Sequence, residues 1–383
     1  MSRRPVTTAL AFSCDRYTPP AVFGQAAGTA LDSGAIDELL VWDQMTNFWP
    51  RQLWCPGNTP MASVMPDLDS YCDAFAMSAY LAAKAPGLGV TISTDAIRRG
   101  PAELTQTMMT LANLTDGRAK IMIGAGEAKQ ITPFGWRRSE GLERLEDQFK
   151  AFDAFWNTDG PVNLAGNHWT FKNAWLGEAR GHRPTVWALG GGPKLLDLAT
   201  TYADGFSAIV PCVAPNVDSW AQTVTTLKTD LERKGRDPEA FEFGIWFMSL
   251  IHEDEQLLEE ALDNPLMRWM AGVFGRVDQS AWDAEGMEPP LPRDWHYAIK
   301  LLPVQWTDSE IDGVLSRTTH EMAQKSFVYG TPASVADQVA QYVEAGATWV
   351  SVCDILPLIL DPADAQLGQH RNLEVCARLK KHG

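Results

Sequence analysis

The chain has 383 residues, 45% of them apolar and 21% charged, with a formal net charge of −16. That length makes one large domain or two ordinary ones and can bury a sizeable core. The acidic balance excludes non-specific nucleic-acid binding. No run of about 18 apolar residues reads as a membrane span. The six cysteines are scattered without a Cys-x-x-Cys pair and indicate neither a zinc site nor a disulfide framework.

The first residues, Met1-Ser2-Arg3-Arg4-Pro5-Val6, carry two arginines but no apolar signal core, so a cytoplasmic location is expected. A strand is predicted over 6–12, a helix over 21–33 ending at Gly34, and a second strand over 38–42 followed by Asp43. Residues 42–68 are rich in Pro and aromatics and lack periodicity, as covering or functional loops do. A helix over 73–85, a strand over 89–93 and a helix over 101–114 opened by Pro101 follow. The stretch Ile121-Met122-Ile123-Gly124-Ala125-Gly126-Glu127 reads as a buried strand (119–123) running into a glycine-rich loop with a carboxylate. Such glycines let backbone approach a ligand. The same spacing also serves a plain turn with Glu127 solvated, and the residues alone leave both readings open.

Apolar residues at Leu142, Leu145, Phe149, Phe152 and Trp156 mark a helix over 141–156. A strand over 185–189 runs into Gly190-Gly191-Gly192-Pro193-Lys194 and a helix over 193–202. Glycines at a helix N-terminus beside a lysine suit an anion such as phosphate, or simply a tight turn. Strands over 205–210 and 241–251, helices over 217–234 and 255–274, a helix over 335–345 and a strand over 348–353 complete the pattern. Eight strands alternating with helices imply parallel pairing with right-handed crossovers. A doubly wound sheet is the rival. Eight units without a linker favour one closed (β/α)8 TIM barrel spanning 1–383, with insertions at about 43–70 and 273–329, the second helical and folded over the barrel mouth.

In such a barrel the strand C-termini carry the chemistry. They offer Asp43 and Gln44, the polar run from Thr91 to Asp95, Glu127 and Gln130, and the triglycine turn. Arg98, Arg99, Lys129, Arg137, Arg138 and Lys194 also fall in these loops and would make a basic rim on an acidic body, attractive to a polyanion. Taken singly, each reads first as an ordinary solvated charge. The seven histidines are isolated, so no metal is expected. Fifteen tryptophans suit a core, and also a pocket for a flat ring or an apolar substrate.

Gly124-Ala125-Gly126-Glu127-Ala128 with Pro133-Phe134-Gly135 resembles the luciferase-like oxidoreductases, specifically the branch that uses the deazaflavin coenzyme F420. Leu88-Gly89-Val90-Thr91, Arg98-Arg99-Gly100-Pro101, Leu114-Thr115-Asp116-Gly117-Arg118-Ala119, Ala203-Asp204-Gly205 and Tyr329-Gly330-Thr331-Pro332 extend the likeness over most of the chain. The resemblance implies a (β/α)8 barrel and a set of site residues. A non-proline cis peptide at Thr91-Ile92 would back the deazaflavin ring. Thr94, Asp43 and Gln130 would contact the cofactor. Gly191, Gly192, Pro193 and Lys194 would hold its phosphate. Glu127 would be the general acid or base. Phe48, Trp49 and Trp136 would wall a small-molecule substrate. A homodimer is expected from the same likeness.

One departure stands out. The family usually follows the aspartate of the second strand with a histidine, and here the pair is Asp43-Gln44. Glutamine hydrogen-bonds but does not exchange protons near neutral pH. Either Glu127 carries proton transfer alone or the substrate differs. The reading that follows is an F420-dependent oxidoreductase acting on a largely apolar ketone or alcohol. Three alternatives remain: an FMN-dependent luciferase-like monooxygenase, a non-catalytic flavin-binding protein, and a glycosidase using Asp43 and Glu127, which would leave the triglycine turn unexplained.

Overall fold

A computed structural model describes residues 5–382, of residue 382 the backbone only; residues 1–4, on which the cytoplasmic reading rested in part, and Gly383 lie outside the described residues. Eight parallel strands form the frame: β1 (Thr7–Phe12), β2 (Glu38–Trp42), β3 (Gly89–Asp95), β4 (Ala119–Gly124), β5 (Thr185–Leu189), β6 (Gly205–Val210), β7 (Glu242–Ile251) and β8 (Trp349–Asp354). Each pairs with the next in the chain, from Ala9 opposite Glu38 round to Trp349 opposite Gly244, and Thr7 opposite Trp349 joins β8 to β1. The sheet is therefore a closed (β/α)8 barrel, and the doubly wound alternative is excluded.

Strand alternation sorts the side chains. On β4, Ile121 and Ile123 face the helices, while Met122 joins Leu40, Trp187, Ile209, Trp246 and Trp349 inside the barrel. The lower interior is polar. Lys120 lies 3.1 Å from Glu38 and 3.7 Å from Glu242, with its ammonium 4.0 Å from the Trp187 ring. A charge withdrawn from water needs such partners. Trp187 fits only because β7 carries Gly244 beside it: a Cβ there would stand 2.4 Å from the indole.

The helix predicted over 255–274 is two, Glu255–Leu262 and Pro265–Phe274. Pro265 has no N–H to continue the first, and Asn264 caps the second through Leu266 N at 2.9 Å. A hairpin (Val162–Ala165 with Thr170–Ala174), a short strand Val328–Gly330 beside β7, and the last helix, Gly368–His382, were not predicted. The segment 273–329 contains short helices, Ala281–Ala284, Tyr297–Lys300, Asp308–Arg317 and His320–Gln324. Among the described residues no helix is long and apolar enough to cross a membrane.

The loop after β2 and helix Pro265–Phe274 are stitched by two reciprocal hydrogen bonds. Trp49 Nε1 donates to Leu266 O, and Trp269 Nε1 donates to Phe48 O, both at 2.9 Å. Trp269, Trp295 and Trp306 then pack edge to face. The tryptophan surplus is spent chiefly here and in the core: Trp187, Trp220, Trp269, Trp282 and Trp349 are fully buried.

Candidate active site

Two cavities open at the C-terminal ends of the strands. The larger is about 680 Å³ and is lined by Asp43, Ser93, Thr94, Glu127, Gln130, Arg138, the run 190–194 and His296, among others. The smaller, about 460 Å³, is lined mainly by apolar side chains, including Trp49, Met61, Met65, Leu68 and Met248. Trp42, Gln44, Phe48 and Trp246 line both, so they form a shared wall. Volumes of this size are typical of small-molecule sites.

Asp43 follows β2 and is anchored on one side. Its Oδ2 accepts from Thr94 Oγ1 at 2.6 Å and from Arg98 Nη2 at 3.0 Å. Burial pulls the Arg98 guanidinium down, but Asp95 and Asp43 hold it above its ordinary value. Asp43 Oδ1 has no partner among the described residues and remains available to a ligand.

Glu127 caps the loop after β4 and is about a quarter exposed, with Oε2 3.1 Å from Lys129 Nζ. Lys129 is itself buried: it donates to Thr46 O at 2.8 Å and lies 3.8 Å from the centre of the Phe48 ring. Burial pushes Lys129 below its ordinary value, against the pull of Glu127. This ammonium locks the loop after β2 to the carboxylate. Gln130 does the same with neutral bonds. Its Oε1 accepts from Met45 N and Thr46 N, at 2.6 and 3.1 Å, and its Nε2 donates to Thr46 O at 3.0 Å. Its polar atoms therefore shape the cavity wall through the loop backbone.

The triglycine turn lies where expected. Gly192 precedes helix Pro193–Tyr202, which has no side-chain cap, and Lys194 is exposed on the cavity lining. A Cβ on Gly191 would stand 2.4 Å from Val213 Cγ1, so only glycine fits that approach.

Three expected site residues lie elsewhere. Thr91 and Ile92 line neither cavity. Thr91 points into the lower barrel, where Oγ1 donates to Glu38 Oε2 at 2.5 Å, and Ile92 faces the helices. Their peptide is trans, the one cis bond among the described residues being Val210–Pro211. The strand continues to Asp95, and its cavity-lining residues are Ser93, Thr94 and Asp95, further along. Trp136, which follows the left-handed Gly135, lines neither cavity and is 36% exposed. Phe48 and Trp49 do line cavities, Phe48 both and Trp49 the smaller. Trp42, Trp246 and His296 were not singled out as functional, and Lys129, expected in the basic rim, is instead buried and paired with Glu127. His296 arrives from the insertion, 169 residues after Glu127 (296 − 127), so no local spacing reveals it.

The model of the luciferase-like monooxygenase family matches residues 57–348, three-quarters of the chain. The chain belongs to that family. Among its relatives, the phthiodiolone/phenolphthiodiolone dimycocerosates ketoreductase of Mycobacterium kansasii is 28% identical over 345 residues, covering 88% of this chain and 92% of the relative. The F420-dependent glucose-6-phosphate dehydrogenase of Kineococcus radiotolerans is 24% identical over 265 residues, covering 68% and 70%. In fold, this luciferase-like protein resembles an F420-dependent secondary alcohol dehydrogenase solved with an F420-acetone adduct. The TM-score is 0.72 at 18% identity, over 98% and 99% of the two chains.

Proposed function

We propose that this luciferase-like protein is an oxidoreductase that binds coenzyme F420 in the larger cavity and transfers hydride between it and a largely apolar ketone or alcohol. One observation carries the reading: a single cavity is lined both by the triglycine helix start with Lys194 and by Glu127 and Asp43. The residues fit an elongated, flat, anionic cofactor. An uncapped helix N-terminus beside a lysine suits its phosphate. Thr94, Asp43 and Ser93 suit the polar edge of a ring system. When bound, the deazaflavin supplies a carbon that gives or accepts hydride.

The chain supplies position and proton. Trp42, Phe48 and Trp246 exclude water at the wall between the cavities. The apolar remainder of the substrate occupies the 460 Å³ cavity, walled by Trp49, Met61, Met65 and Leu68. Gln44 hydrogen-bonds the substrate oxygen from that wall. Glu127 moves the matching proton from Oε1, its Oε2 being held by Lys129. Orientation of this kind accounts for roughly 7–11 kcal/mol of a barrier.

The matched family model is named for monooxygenases, which favours FMN as the second reading. Fluorescence titration with coenzyme F420 and, separately, with FMN decides between them. Micromolar or tighter deazaflavin binding with weak FMN binding is expected. FMN preference, with product formation that needs oxygen, would replace the proposal by the monooxygenase reading.

A further inference from the structure

Most charges around the larger cavity are already paired. Arg98 holds Asp43 and Asp95, Lys129 holds Glu127, and nearby Arg99 holds Asp73 at 2.6 Å. Arg138 is different. It lines the cavity, no carboxylate among the described residues comes within ion-pair reach of it, and its Nε is buried without a hydrogen-bond partner. Burial pushes it below its ordinary value, and Glu127 and Asp95 offset this only from beyond ion-pair distance; a ligand anion in direct contact would relieve the remaining cost. Arg138 stands just before helix Gly141–Asn157, which has no side-chain cap and whose Leu142 lines the same cavity.

His296 reaches the same cavity from the insertion. Its Nδ1 accepts the backbone N–H of Ala298 at 3.2 Å. In the neutral ring that places the proton on Nε2, which has no partner among the described residues and is a free donor. Burial, with Arg138 adding to it, pushes the imidazole below its ordinary value and keeps it neutral. Asp278 also lines the cavity, but its Oδ1 is taken by Ser280 N and Oγ, at 3.0 and 2.7 Å.

We propose that Arg138 and His296 form a second anion-recognition subsite in this cavity, distinct from the triglycine turn, and that it takes a carboxylate. One planar guanidinium fork plus one neutral donor matches a carboxylate monoanion in charge and shape. The carboxylate belongs either to the side arm of the cofactor or to the substrate. That choice rests on the deazaflavin reading above; anion recognition itself does not.

The test compares wild type with Arg138→Gln and His296→Gln, each first checked for native circular dichroism and melting temperature. Affinities are measured for coenzyme F420 and for the deazaflavin chromophore lacking the phosphate and carboxylate arm. Rates are measured for a keto acid and its methyl ester. If the cofactor arm is the ligand, Arg138→Gln weakens F420 by about tenfold or more, as loss of a charge-assisted hydrogen bond does, and leaves the truncated chromophore unchanged. If the substrate is the ligand, kcat/KM for the acid falls by a similar factor while the ester and the cofactor do not respond. Unchanged ratios in both arms overturn the proposal. If wild type binds no deazaflavin, the functional reading falls, and phenylglyoxal labelling of Arg138 with and without succinate decides the subsite. Protection by succinate supports it, and equal labelling overturns it.

Discussion

At the scale of single residues, the cavity joins groups whose chemistry was legible to groups whose placement was not. The strand-end position of Glu127 was legible, but its spacing left a plain turn equally open, and only the family likeness named it as an acid or base. The structure adds Lys129, which ties one of its oxygens. Replacing Glu127 with Gln keeps the shape and removes proton exchange. Turnover should fall about 10²–10⁴-fold with cofactor affinity nearly unchanged, and stopped-flow rates with parallel fluorescence titration check both. Thr91 and Ile92 were misplaced because a likeness names a strand and not its depth; moving along a strand shifts both height in the barrel and the face presented. Asp354, at the end of β8, supplies a pH prediction. Burial pushes its carboxyl up to about 8 from 3.8. The folded state then keeps a proton that the unfolded chain releases, so this group's contribution to stability falls as pH rises from about 4 to about 8. Asp354→Asn keeps the Oδ1 that accepts from Ile251 N and Leu356 N. Its stability relative to wild type should rise across that window, by up to a few kcal/mol, and be flat above it. Denaturant midpoints at several pH values would show no such rise if Asp354 ionised normally.

At the scale of elements, strand and helix order was readable because each apolar run was short and bounded by Gly, Pro or an acidic turn. The extra hairpin and the last helix escaped notice. The hairpin is half exposed and weakly patterned, and the helix is mostly polar, with few apolar positions to mark its period. The stitch between the loop after β2 and helix Pro265–Phe274 was invisible for another reason: it joins positions more than 200 residues apart. Trp269→Phe removes the donor to Phe48 O while retaining an aromatic ring. We expect a loss of about 1–2 kcal/mol in unfolding free energy and, because Phe48 lines both cavities, a rise in KM larger than the fall in kcat. Equal melting curves and equal KM would show that the stitch is incidental.

At the scale of the whole molecule, barrel closure brings the ends of β2, β3, β4 and β5 to one mouth, and the larger cavity needs all four. The fold was therefore the most legible level, since alternation implied parallel strands and eight units without a linker favoured the closed barrel over a doubly wound sheet. The cavity was legible in outline, because strand ends converge in any such barrel. Its insertion-borne wall was not, since nothing in the order of residues says where a Trp- and Pro-rich excursion comes to rest.

The net charge of −16 surrounds a mouth in which Arg138 and Lys194 have no carboxylate at ion-pair distance among the described residues. An approaching anion thus meets repulsion at a distance and attraction only on arrival. Counter-ions shorten the reach of the outer field to about 8 Å at physiological ionic strength but act less on the enclosed mouth. Added salt should then accelerate capture of an anionic ligand and accelerate its escape as well. A capture rate that instead slows with salt would mean that the mouth, and not the body, governs the approach.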